Sequence, residues 1–186
     1  MNDLSVKQPF IKYLYSLNVT GKRGALADLR RGLSGPPGTS PAMFQYVVPW
    51  VPEDARNTWR ESVYYIVASL FSYYQAGSAG KPLSTDKGNF GEHCRSLKEK
   101  QDQSASFEAR FTSLLKAHRD DLTVLLQQIM GLLKGADIPI NWDQLFYDLQ
   151  HWNASSQFVQ RNWANGYWKY QPKIQTESEQ SIEENK

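Results

Sequence analysis

Four cations crowd one short stretch, GKRGALADLRRGL at residues 21–33: Lys22, Arg23, Arg30 and Arg31. Guanidinium and ammonium groups placed this closely attract phosphates by charge and by paired N–H donors, and they need no element that reads a base. Seven residues separate Arg23 from Arg30, so on a helix the two project within about 20° of each other. Leu26 and Leu33 share that spacing, with Leu29 between them. The pattern predicts a leucine stripe turned inward, flanked by Arg23 and Arg30. Arg31 lies further round, and Lys22 begins the turn. Residue types alone leave two readings open, a solvated helix face and a groove for a polyanion.

A second basic group, Lys87, Arg95, Lys98, Lys100, Arg110 and Lys116, could extend such a path, although Glu92, Glu99, Asp102 and Glu108 partly neutralise it. Aromatics beside cations can also stack nucleobases. Trp142, Trp152, Trp163 and Trp168, however, recur among Leu, Phe and Val at helical spacing, which predicts core packing. Trp168, next to Lys169 and Tyr170, is the least constrained of the four.

Catalytic chemistry has little to stand on. His93, His118 and His151 are scattered, and none belongs to an HExxH pattern; CxxC, GxSxG and P-loop patterns are missing too. His93 and Cys94 are adjacent, which on a helix points them about 100° apart. Asp120 and Asp121 stand directly before LTVLL, where a helix N-terminus favours acids; a divalent metal there would need a further converging carboxylate. Asp143 and Asp148 are five apart and fall on different sides of their helix. The expectation is a protein with no catalytic residue, no metal and no cofactor. The enzymatic alternative, a metal-dependent nuclease using Asp120, Asp121 or Asp148, predicts divalent-dependent cleavage.

The elements that position these residues follow from composition and periodicity. With 186 residues, 40% hydrophobic and 13% aromatic, the chain can bury a substantial core. The formal net charge of +2 conceals a basic beginning, with Lys7, Lys12, Lys22, Arg23, Arg30 and Arg31 against Asp3 and Asp28. The end, QPKIQTESEQSIEENK, is acidic and nearly devoid of apolar residues, and reads as a disordered tail. A single cysteine excludes an intramolecular disulfide, and MNDLSVKQPF lacks the apolar run of a signal peptide, so a cytoplasmic protein is expected. The longest hydrophobic run, SVYYIVASLFSYY, is short for a bilayer span and reads as a buried helix.

Apolar residues recur at helical spacing almost throughout, and alternating strands bounded by hairpin turns are hard to find; the predicted class is all-α. A first helix is expected from about Ser5 to Leu17, a second through the basic stretch up to GPPG at residues 35–38, and a long third led in by Trp50, Val51 and Pro52 with Glu53 and Asp54 in its first turn. Asn89 and Glu92 have capping-box spacing, Asp120 or Asp121 would begin another helix, Asn141 would cap the next, and Ser155 or Ser156 would open the last. The organisation expected is two packed helical bundles or halves: 1–80, a linker or loop at 81–88, a C-terminal bundle at 89–170 and the acidic tail at 171–186.

The ordered blocks RGALADLRRGL, YVVP at residues 46–49, VASLFSYY, NFGEHCRSL, EARFTSLL, IPINWDQLFYDLQHW and VQRNWANGYW give these helices a further meaning. Together, over roughly residues 8–170, they resemble the CasB family, the small subunit of the type I-E CRISPR surveillance complex Cascade. The resemblance implies an all-helical, nonenzymatic subunit of antiviral defence. It implies two copies head to tail, lying against the crRNA-bound backbone subunits near the large subunit. Such subunits help to hold the target strand and the displaced non-target strand of an R-loop, while guide pairing chooses the sequence. On this reading Lys22, Arg23, Arg30 and Arg31, with Arg110 and Arg119, are the candidate sequence-independent DNA contacts, and no membrane is involved. The alternative is a protein interaction module whose basic face binds acidic partner subunits.

Overall fold

The computed structural model describes residues 6–77, 83–101 and 105–169, and over them the chain is helical. The helices are α1 (Pro9–Val19), α2 (Arg23–Arg30), α3 (Phe44–Val47), α4 (Trp59–Tyr74), α5 (Phe90–Gln101), α6 (Ala105–Leu115), α7 (Arg119–Gly135), α8 (Trp142–Gln150) and α9 (Phe158–Trp168), with short 3-10 turns between α2 and α4. The β-structure among the described residues is one isolated bridge between Ser84 and Ile140. The all-α expectation is met. The acidic tail at 171–186 lies outside the described residues, as do residues 81–82 of the expected linker.

α4 organises the molecule. Its sequence is apolar on nearly every side, which marks a helix surrounded by others. From Val63 to Phe71 every residue is buried, and α4 packs against α1, α2, α7 and α8. The Thr58 hydroxyl caps it by accepting from the Arg60 N–H at 3.2 Å. This corrects the expected first turn: Glu53 and Asp54 belong to a separate 3-10 turn, Glu53–Ala55, and not to the first turn of α4. Ala55 is buried, Asn57 adopts a left-handed φ of 58°, and Asp54 pairs instead with Arg60 at 2.7 Å. The break depends on Asn57, a residue type that tolerates that conformation.

Three other starts also move. α1 begins at Pro9, because proline suits the first helical position and the preceding N–H groups of Lys7 and Gln8 donate to the Asp143 carboxylate at 3.0 and 2.9 Å. α7 begins at Arg119 after His118, so Asp120 and Asp121 sit in its first turn, where their charge complements the dipole, and neither is the cap. α9 begins at Phe158 after a left-handed Gln157, later than Ser155 or Ser156. Where the expected cap is local, it is found. Asn89 and Glu92 form a reciprocal capping box at 2.9 and 3.1 Å, and the Asn141 side chain accepts from the Gln144 N–H at 3.1 Å.

The core joins residues from both ends of the chain. Phe10, Tyr64 and Phe146 pack ring against ring, Phe71 and Tyr74 meet Trp142, and Trp163 lies between Phe90 and Trp152. Polar groups stitch the same contacts: the Tyr74 hydroxyl donates to the Ile138 carbonyl, and the Trp59 indole to that of Leu149 at 2.7 Å. α5 and α9 approach so closely at Gly91 that a Cβ there would lie 1.9 Å from the Trp163 carbonyl oxygen. The part of the expected linker that is described is held down. Leu83 exchanges hydrogen bonds with the Gln75 amide, and the Thr85 N–H donates to the Ile140 carbonyl at 3.1 Å.

Candidate nucleic-acid interface

α2 is a two-turn helix whose inward side is set by leucines. Leu29 is buried, Leu26 and Leu33 pack partly buried on the core, and the helix lies on α4 and α1. Gly32 permits this closeness: a Cβ there would stand 2.3 Å from Met43 Sδ and Ser69 Oγ. With the leucines in, Lys22, Arg23, Arg30 and Arg31 are all exposed.

Their surroundings separate them. Arg23 and Arg30 line one cleft of about 580 Å³, together with Asn18 and Val19 at the end of α1, Leu26, and Ser72, Gln75 and Ala76 at the end of α4. Among the described residues no acidic side chain lines it, and neither arginine makes an ion pair. Lys22, at the N-cap of α2, is likewise free of ion pairs there. Arg31 is tethered at 2.6 Å to Asp28, which also accepts from the Tyr46 hydroxyl at 3.3 Å. Arg110 is exposed on α6, which packs on α7 and α9. Arg119 lies 3.6 Å from Asp120 in a different cleft, walled by Phe44, Val48, Trp59 and Tyr65. Of the six predicted contacts, then, the fold unites Arg23 and Arg30, leaves Lys22 beside them, holds Arg31 to its own helix and sets Arg110 and Arg119 elsewhere.

One cation near the cleft escaped sequence reasoning. Lys134, in the last turn of α7, donates to the Tyr73 and Ala76 carbonyls at 2.8 and 2.7 Å and lies 5.2 Å from the Tyr73 ring centroid. It offsets the negative end of α4, the end that borders the cleft. Burial and then the Arg30 charge lower its pKa from the ordinary lysine value. A lysine in a last helical turn is a visible signal, but nothing local says which carbonyls it reaches.

Three members of the second basic group are used internally. Lys98 pairs with Glu108 at 3.1 Å and lies over the Tyr167 ring, Arg95 is 3.5 Å from Glu99, and Lys100 donates to the Ala136 carbonyl. The residues weighed for catalysis are also structural in setting. His93 is buried and accepts from the Asn141 N–H at 3.1 Å, and burial lowers its pKa to about 4. Burial raises the Cys94 thiol well above its ordinary value. Asp148 is pushed up by burial, an effect opposed by the donors Trp163, at 2.6 Å, and Gln144, at 2.8 Å. No group of three or more His, Cys, Asp and Glu side chains suited to a metal ion occurs among the described residues. Of the weighed tryptophans, Trp142, Trp152 and Trp163 are buried, whereas Trp168 is 44% exposed.

The family model of the CRISPR-associated protein Cse2 matches residues 25–168. The chain belongs to the Cse2 family. A Cse2 protein of Thermus thermophilus is 34% identical over 148 residues, which cover 77% of this chain and 78% of that relative. A crystal structure of a Cse2-family protein from Thermus thermophilus matches at 30% identity and a TM-score of 0.68, covering 87% of this chain and 99% of the other. That of CasB from M. ruber matches at 29% identity and 0.70, covering 89% and 94%. A chain of a CRISPR RNA-guided surveillance complex shares the fold at 22% identity and 0.70, over 85% and 88%. The resemblance to CasB carried by the ordered sequence blocks is thus confirmed, and the Cse2 match takes in Arg30 and the whole of α4.

Proposed function

We propose that this Cse2-family chain is the nonenzymatic small subunit of a type I-E Cascade surveillance complex, and that Arg23 and Arg30 hold single DNA strands of the R-loop by their phosphates. The observation that carries the reading is the pairing of these two arginines in one cleft that contains, among the described residues, no acid to neutralise them. An exposed guanidinium without an internal partner keeps its charge and its fork of donors for an external anion. Exchange of a DNA duplex for a guide–target heteroduplex is nearly balanced, so a few such contacts to target or displaced strand shift it toward completion. Lys22 adds to the same field. The subunit works in the cytoplasm, in two copies head to tail against the crRNA-bound backbone subunits and near the large subunit.

The protein-interaction alternative has one observation of its own. Arg119 shares its cleft with Phe44 and Val48, both exposed, and with Glu61 and Asp120, and such a mixed apolar and charged surface suits a partner subunit. The two readings separate in one experiment, with Arg23, Arg30 and Arg31 all replaced by Glu. Normal assembly of the variant complex with weakened R-loops and an unchanged helical circular dichroism spectrum supports strand contact. Failure to assemble supports the interaction module, and complete R-loops at moderate salt would remove α2 from the contact surface.

A further inference from the structure

The cleft beside α2 holds a polar group that the fold leaves unused. Ser72 lines its wall on α4, is 1% exposed, and its hydroxyl has no hydrogen-bond partner among the described residues. A buried hydroxyl without a partner is uncommon in a folded protein and points to a role. Its neighbours are not idle: Gln75 is spent on both backbone groups of Leu83, and Lys134 on the Tyr73 and Ala76 carbonyls. These contacts fix the end of α4 and place a cation at its carbonyls, where an incoming anion would otherwise meet the unfavourable end of a helix dipole.

We infer that the Arg23–Arg30–Ser72 cleft is a recessed phosphate site, which seats one phosphodiester of a single strand while its neighbours run along α2. This rests on the strand-contact reading and deepens it from a general cationic field to a built subsite. Arg23 and Arg30 stand seven residues apart, about 10.5 Å along the helix axis. Two guanidinium groups so spaced meet different phosphates or opposite sides of one recessed between them. Ser72 supplies the neutral donor from the α4 wall, and an oxyanion gives its hydroxyl the acceptor it lacks. A surface field alone would need neither a cleft nor a hydroxyl.

The test uses the full chain, with inorganic phosphate and a short single-stranded oligodeoxynucleotide as probes. Phosphate titrated at low chloride is expected to shift, saturably, the backbone amide of Ser72 and the side-chain Nε signals of Arg23 and Arg30 in ¹H–¹⁵N spectra, and to compete with the oligonucleotide. Ser72→Ala, a change compatible with a helix, should weaken both probes about tenfold, the worth of one hydrogen bond to a charged group. Arg30→Gln, a surface change, should weaken both as well. If Ser72→Ala leaves both affinities unchanged while Arg30→Gln lowers oligonucleotide binding, the recessed site is wrong and the strand-contact reading stands. If neither variant alters oligonucleotide binding, that reading falls too. Loss of phosphate binding in Ser72→Ala with undiminished oligonucleotide binding would overturn the strand assignment in favour of free phosphate.

Discussion

The α2 edge and the α5–α8–α9 corner are both rich in polar groups, yet they use them in opposite ways. In the corner, Asn89, Glu92, Asn141, Gln144 and Asp148 are tied to backbone or to one another, and His93 accepts from the start of α8. Lys98 and Lys100 are held nearby in the same manner. At the α2 edge, Arg23 and Arg30 face a cleft that no acid among the described residues lines. Polar groups spent inside the molecule hold the fold, and those left over are available to a ligand. Substitutions in the corner should therefore act on stability and spare strand binding, and those at the edge should do the reverse.

The largest expected effect lies in the corner. Gly91→Ala drives a methyl into the Trp163 carbonyl, a collision that neither backbone can relieve by a rotamer change, and should cost about 3 kcal/mol or more in urea unfolding. A comparable effect comes from pH. His93 has its pKa lowered from 6.5 to about 4 by burial, so the folded state disfavours the protonated ring. Its contribution is complete above pH 6.5, falls as pH drops from 6.5 to 4, and levels off below 4, amounting to about 3 kcal/mol at most. His93→Gln should flatten that part of a stability–pH profile. Next, Trp163→Phe removes the indole donor from the buried Asp148 carboxyl and should cost about 1–3 kcal/mol. In each case binding by the molecules that remain folded should be unaltered.

What could be read from the sequence follows the same division between local and distant causes. Asn89 with Glu92, and Asn141, could be recognised because a cap and its target lie within one turn. The Arg23–Arg30 pairing was visible for the same reason, since seven residues on one helix fix a common direction. The start of α4 was not, because it depends on Asn57 in a left-handed conformation and on Ala55 being buried by the rest of the fold. Ser72 and Gln75 in the cleft and Lys134 beside it come from α4, its C-cap and α7, and only tertiary packing brings them to α2. The paired state of Lys98 and Arg31 was similarly hidden: opposite charges were countable in the sequence, but their contacts were not.

The smallest effect sharpens the comparison at the edge itself. Arg31→Gln breaks an exposed pair with Asp28 and should change stability by less than about 1 kcal/mol. Because that guanidinium is already tethered, its loss should barely alter oligonucleotide affinity, measured by fluorescence anisotropy.

The central claim, that unspent cations at α2 and not spent ones elsewhere meet the strand, is tested most directly by the salt dependence of single-strand binding. For the double variant Arg23→Gln/Arg30→Gln, the slope of log K against log salt should shrink by about 1.4, corresponding to two lost phosphate contacts, whereas Lys98→Gln/Lys100→Gln should keep the original slope. Equal loss of slope in both double variants, or an unchanged slope in the first, would contradict it.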